Sequence, residues 1–194
     1  MNSNFFIVDL QQGTDQWLAW RHKGIGASEA PVVMGENPFK NARELLEEKR
    51  RAVILDTFQN DAMLLGTQLE PEARNLYIAK TGKDVQPTCV QSFKYDWLRA
   101  SLDGLSDNHD AVVEIKCGAS TYRRVSKSRS VPHYYYGQVQ HILAVTGLDS
   151  LDFWCYWPNN PTLLIQVSRD DAYIQRLLNE ELEFWNLVGQ QKTD

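Results

Sequence analysis

The sequence predicts a mixed α/β fold (α+β), a central mixed β-sheet flanked by helices. Two observations carry this expectation. Helical-period segments come first, three strand-like stretches follow, and a helix, two further strands and a closing helix complete the chain. The chain of 194 residues is 43% hydrophobic with 6 Trp, 8 Tyr and 7 Phe, enough apolar surface to offset the entropy of ordering one core. No internal repeat and no Pro/Gly/Ser-rich linker divides it, so residues 1–194 read as a single domain.

Each element has a local reason. Residues 17–22 form a short helix, and Ser28 reads as the N-cap of a second one that ends at Gly35. Asn37-Pro38 breaks the chain, and residues 42–52 are helical again. In the helix predicted over residues 66–80, Leu69, Ala73, Leu76 and Tyr77 fall at i, i+4, i+7 and i+8, and Gly82 stops it. Residues 85–93, 97–102 and 111–117 are rich in Val, Ile and aromatics and read as successive strands, with Asp107-Asn108 turning between the last two. A helix over 134–146 ends at Gly147. Strands at 151–157 and 163–167 are separated by the loop from Pro158 to Pro161, and an amphipathic helix over 171–188 closes the chain.

No apolar run approaches the roughly 18 residues of a membrane span, which predicts no membrane association and a soluble, cytoplasmic protein. Cys89, Cys117 and Cys155 lack CxxC spacing and lie in strand-like stretches, so buried free thiols are expected rather than zinc or disulfide chemistry. A net charge of −5 argues against nucleic-acid binding, but the charge is segregated. From residue 115 to 148 there is no Asp or Glu, while Lys116, Arg123, Arg124, Lys127 and Arg129 fall inside that window. Such a run is either a solvated loop or a DNA-backbone contact.

The chemistry concentrates in Ser101-Leu102-Asp103-Gly104 and Glu114-Ile115-Lys116. Strand alternation sends Glu114 and Lys116 to one face and Val113, Ile115 and Cys117 to the other. A turn centred between Asn108 and His109 pairs residues whose numbers sum to 217, which sets Asp103 opposite Glu114. Two carboxylates opposed in this way need a compensating cation. Oxygen ligation favours Mg2+, with Mn2+ as a substitute, and the adjacent lysine can hold or deprotonate an attacking water. The ordinary alternative is a turn aspartate beside an exposed cross-strand ion pair.

The D…E-x-K arrangement resembles the core of the restriction-endonuclease-like nucleases. Four blocks, Gly24-Ile25-Gly26-Ala27-Ser28-Glu29-Ala30, Gly66-Thr67-Gln68-Leu69-Glu70-Pro71-Glu72-Ala73-Arg74, Leu98-Arg99-Ala100-Ser101-Leu102-Asp103-Gly104 and Tyr136-Gly137-Gln138-Val139-Gln140-His141, occur in the order seen in the lambda-exonuclease/YqaJ family of viral recombinases. The resemblance spans roughly residues 20 to 147 and leaves the last 45 or so without a readable family signal. It implies a restriction-endonuclease-like fold and a nuclease using two metal ions. Such an enzyme degrades one strand of linear duplex DNA from its 5′ end, leaves 3′ overhangs, forms a ring-shaped homotrimer and works with a single-strand annealing protein. It further implies that Asp103, Glu114, Lys116, Glu70 and Gln138 are catalytic, and that Glu70, Asp103, Glu114 and the Ile115 carbonyl are metal ligands. Arg21, Ser28 and Ser101 match the family's 5′-phosphate pocket. Ser28 at a helix N-terminus would add backbone N–H groups to that pocket.

Local physics offers other roles for several of these residues. Thr67 to Glu70 reads as a capping box, Glu70 with Arg74 as an i, i+4 pair, and Pro71 as a constrained helix start. His141 reads as a packed or supporting group rather than a ligand. Two further functions are compatible with the motifs: a structure- or site-specific DNA endonuclease on the same core, and a non-catalytic DNA-binding module. Met34, Phe39, Phe58 and Met63 are unranked candidates for a strand-separating wedge.

Overall fold

Six strands form one sheet whose spatial order follows the chain: β1 (Phe5–Val8), β2 (Val85–Ser92), β3 (Arg99–Ser106), β4 (Val112–Cys117), β5 (Ser150–Tyr156) and β6 (Leu163–Ser168). The computed structural model describes residues 4–51 and 61–190. All neighbouring strands are antiparallel except β4 and β5, which run parallel from Val113↔Asp152 to Cys117↔Tyr156. A parallel joint needs a crossover, and α5 (Ala119–Ser128) and α6 (His133–Thr146) supply it. The other helices are α1 (Asp15–His22), α2 (Ala30–Val33), α3 (Ala42–Lys49), α4 (Asp61–Thr81) and α7 (Asp171–Gly189). The mixed sheet flanked by helices is the predicted class.

Helices cover both faces of the sheet, and β5 is buried on two sides. On one face Phe153 and Cys155 pack with Val139, Ile142 and Leu143 of α6. On the other, Val113, Ile115, Trp154 and Tyr156 pack with Ala73 and Tyr77 of α4. The small Ala73 lets α4 approach closely, and its carbonyl accepts a 2.9 Å bond from the buried Trp154 indole. Gly147 ends α6 with φ +74°, and Gly82 follows α4 with φ +70°, as the stop signals predict.

Several expectations are corrected. β1 and α5 were not predicted. β1 has only four residues, and α5 buries only Tyr122 and Val125, too few apolar positions to show a period in a basic segment. That segment is therefore helical rather than a loop. α4 covers Asp61–Thr81, so Pro71 lies inside it and is not a helix start. The same shift places Thr67 in mid-helix, where its hydroxyl donates to the Met63 carbonyl at 3.2 Å, so Thr67 to Glu70 is not a capping box. Ser28 is not an N-cap: it sits within the 3-10 turn Ala27–Glu29. There Glu29 accepts from the Gly26 N–H at 2.8 Å. Strand β3 runs on to Ser106, past the predicted end at 102. α3 ends at Lys49, and residue 52 and Phe58 lie outside the described residues.

Candidate active site

Strand β3 does not pass Asp103 in regular register. Its pairing with β2 shifts between Gln86↔Leu105 and Thr88↔Leu102, so Asp103 and Gly104 together face Pro87. Pro87 has no N–H to give the ladder, and a bulge with an extra residue on β3 accommodates that gap. Gly104 is required here, because a Cβ would lie 2.7 Å from both Val113 Cγ1 and Val85 Cγ2. On the other side, Gly104↔Val113 and Leu105↔Val112 keep the expected sum of 217, but the ladder ends before Asp103. Instead of facing Glu114 as a cross-strand pair, Asp103 uses Oδ2 to accept a 2.7 Å bond from the Ile115 N–H. The two strands are stitched by a side chain where the backbone pairing stops.

Glu114 and Lys116 project to the opposite face from Val113 and Ile115, as alternation requires. Glu114 is only 2% exposed. Its Oε1 accepts from Lys116 Nζ at 2.6 Å and from Gln138 Nε2 at 2.6 Å, while its buried Oε2 has no hydrogen-bond partner. Lys116 also donates to Gln138 Oε1 at 3.2 Å and lies 4.5 Å from the centre of the Tyr135 ring. Burial works against the ammonium, but Glu114, Tyr135 and Asp103 outweigh it and hold the Lys116 pKa above the ordinary lysine value. Gln138 and Tyr135 both come from the first two turns of α6, so the crossover that makes β4 and β5 parallel also delivers these two residues to Lys116.

Glu70 and Arg74 come from α4. Arg74 pairs with Glu70 Oε1 and donates from Nε to the Asp103 backbone carbonyl at 2.7 Å. Burial raises the Glu70 pKa, with Glu114 adding to it and Arg74 opposing. Burial likewise raises that of Asp103 well above the carboxylate range, reinforced by Glu114 and then Glu70. Three acids thus share one field, and a divalent cation would relieve it. Among the described residues no three His, Cys, Asp or Glu side chains already surround a single metal position, and Glu70 is engaged by Arg74. Asp103 and the unpartnered Glu114 Oε2 fit Mg2+, which is typically held by one or two carboxylates and keeps several waters.

Arg21, Ser28 and Ser101 are brought together through Trp17, a residue that sequence reasoning missed. Arg21 donates to Ser28 Oγ at 2.9 Å and lies 4.6 Å from the Trp17 ring centre, and the Trp17 indole N–H donates to Ser101 Oγ at 2.8 Å. Because the Gly26 N–H is taken by Glu29, the local donors are side chains, and the expected helix-terminus contribution at Ser28 is corrected accordingly. Arg123, Arg124 and Lys127 are exposed on α5, and Arg129 caps it with φ +51°. His141 is fully buried, with Glu181 Oε1 2.7 Å from Nδ1 and the Arg99 carbonyl 2.8 Å from Nε2, so both ring nitrogens are engaged away from Glu70, Asp103 and Glu114. Arg74 and Tyr135 were also missed as site residues. The only sequence signal for Arg74 was its i, i+4 spacing from Glu70.

A model of the YqaJ-like viral recombinase domain matches residues 16–149, which include every residue of this site. The uncharacterized protein YqaJ of Bacillus subtilis is 28% identical over 180 residues, covering 91% of this chain and 56% of that protein. The chain thus spans about half the length of that relative. The alkaline exonuclease LHK-Exo of Laribacter hongkongensis superposes with a TM-score of 0.80 at 28% identity, over 91% of this chain and 93% of that one. The structure of LHK-Exo in complex with dAMP gives 0.81 at 29% identity, with the same coverage of both chains. No helix among the described residues is long and apolar enough to cross a membrane.

Proposed function

The chain belongs to the YqaJ-like viral recombinase domain family, and from that premise we propose that it is a metal-dependent 5′-to-3′ exonuclease of linear double-stranded DNA. Its product is duplex with 3′ single-stranded overhangs, the substrate of a single-strand annealing protein in phage-type recombination. The observation that carries the reading is the convergence of Asp103, Glu114, Lys116 and Gln138 around a buried carboxylate oxygen with no protein partner. A pure binding module has no use for paired acids beside an anionic backbone.

Asp103 and Glu114 would hold the Mg2+ or Mn2+ ions, two per site, with Glu70 and the Ile115 carbonyl completing the ligand set. Bound there, the cations supply Lewis-acid stabilisation of the phosphate and a water of lowered pKa. Lys116 Nζ keeps its proton and donates to the attacking water or a phosphate oxygen, and Gln138 fixes both Glu114 and Lys116 in register. Arg21, Ser28 and Ser101 take the terminal 5′-phosphate. Ser101 precedes Asp103 by two residues on β3, about 6–7 Å along a strand and of the order of one nucleotide step. Holding the terminal phosphate therefore sets the next diester at the carboxylates, and each cut leaves a fresh 5′-phosphate. LHK-Exo crystallised with dAMP, a mononucleotide of the kind this stepping releases.

Linear and covalently closed duplexes incubated side by side with Mg2+ and with EDTA test the reading. Loss of the linear form alone, and only with metal, is expected. Cleavage of the closed circle would make the chain an endonuclease, and binding without mass loss in Mg2+ would make it a binding module.

A further inference from the structure

The geometry points to Lys49 as a positioning residue for 5′-phosphate selection: it occupies the Glu29 carboxylate, so that Arg21 is left free for the phosphate. This rests on the reading of Arg21, Ser28 and Ser101 as the terminal-phosphate pocket. Lys49 is the last residue of α3, one turn beyond the fully buried Leu45, so its stem is carried into the interior and its side chain is only 4% exposed. Its ammonium makes two contacts, to Glu29 Oε1 at 2.8 Å and to the Arg21 backbone carbonyl at 3.0 Å. The other Glu29 oxygen accepts from the Gly26 N–H at 2.8 Å. Both carboxylate oxygens are therefore engaged.

Arg21 lies in the field of that same carboxylate. A Cβ on Gly26 would be 3.5 Å from Arg21 Nε and 3.8 Å from Glu29 Oε2, so the two groups flank one glycine. Lys49 and Arg21 together hold the Glu29 pKa below the usual carboxylate range, although burial opposes them. Yet among the described residues Arg21 forms no ion pair; it donates to Ser28 and stacks on Trp17. With Lys49 present the cluster of Arg21, Lys49 and Glu29 carries one net positive charge. Without it, Glu29 neutralises Arg21 and repels an incoming phosphate.

The test compares rates on duplexes with 5′-phosphate and 5′-hydroxyl ends. Lys49→Met is expected to reduce the preference for phosphate by roughly tenfold, the loss of about one charge-assisted hydrogen bond, and to do so through KM on phosphorylated ends rather than kcat. Removing the partner carboxylate as well, in Lys49→Met/Glu29→Gln, is expected to restore the preference; the rate on 5′-hydroxyl ends should stay near wild type in both variants, whereas a merely structural defect in the single variant would slow both kinds of end alike. A Lys49→Met enzyme with wild-type preference would overturn the proposal, as would a double variant as unselective as the single one. If Lys49→Met does not fold, Lys49→Gln, which keeps a neutral donor to Glu29 but removes the charge, takes its place and is compared with Lys49→Gln/Glu29→Gln by the same criterion. A wild-type enzyme indifferent to the 5′-phosphate would overturn the Arg21 pocket itself, whereas wild-type selectivity unaffected by Lys49 would overturn only the role given to Lys49.

Discussion

Lys116 is held by Glu114, Gln138 and the face of Tyr135, each of which favours the ammonium, so it is a cation at neutral pH and would serve the proposed chemistry as a proton donor. Lys116→Met should reduce the cleavage rate by on the order of 10^2–10^4-fold with the fold intact, measured as product release alongside the melting temperature. A rate near wild type would remove Lys116 from the chemistry. The shared face of Glu114 and Lys116 was legible because strand alternation is local, and the short turn brought Asp103 near them; that Asp103 meets the Ile115 N–H rather than facing Glu114 was not legible, because Pro87, which the bulge accommodates, lies on another strand. Nor were Trp17, Tyr135 and Arg74. Trp17 meets Ser101 across 84 positions, and Arg74 meets the Asp103 carbonyl across 29, and no local pattern encodes contacts of that range.

The bulge in β3 and the helix α6 are the elements that aim the site. Gly104→Ala would push a methyl into Val113 and Val85, an overpacking cost of about 1–3 kcal/mol. Melting should fall by roughly 2–4 °C per kcal/mol. Activity should fall further than stability alone explains, because Asp103 is re-aimed; wild-type activity in a folded Gly104→Ala enzyme would show that the bulge does not position it. α6 is fastened at His141, whose pKa is a contest: burial, the largest influence, lowers it, while Glu181 and the Arg99 carbonyl together raise it above 6.5. A raised folded value means that the pair's stabilisation is complete below about pH 6.5 and is lost as pH rises through the folded pKa of His141. Denaturant midpoints should therefore decline over that window, and Glu181→Gln should flatten the decline. An identical pH slope in the variant would contradict the pairing. The long helices, their glycine stops and the hairpin register of 217 were legible because period, φ and turn residues are local properties. β1 and α5 were not, since four residues and two buried side chains leave too little pattern.

At the scale of the molecule, the proposed function brings a chain of net charge −5 to a polyanion, and the exposed basic residues on α5 would be the natural contact. A ring of three copies with α5 toward the channel would concentrate this charge on the DNA and turn acidic surfaces outward. Replacing Arg123 and Arg124 with Ala should weaken DNA binding regardless of sequence and lower the salt slope by about 1 for each phosphate that is no longer neutralised. An unchanged slope would take α5 off the DNA path. The family and the mixed sheet flanked by helices were legible from four blocks spread along the chain and from the order of elements, whereas the strand order was not, since β1 went unrecognised, and assembly leaves no comparable mark within a single sequence. The most direct test of the central claim follows a 5′-phosphorylated linear duplex carrying distinguishable labels at the 5′ and 3′ ends of one strand. In Mg2+ the 5′ label should leave first, as a mononucleotide, while the 3′ label stays on a shortening strand, and EDTA should stop both. Early release of the 3′ label, or digestion that continues in EDTA, would contradict the account.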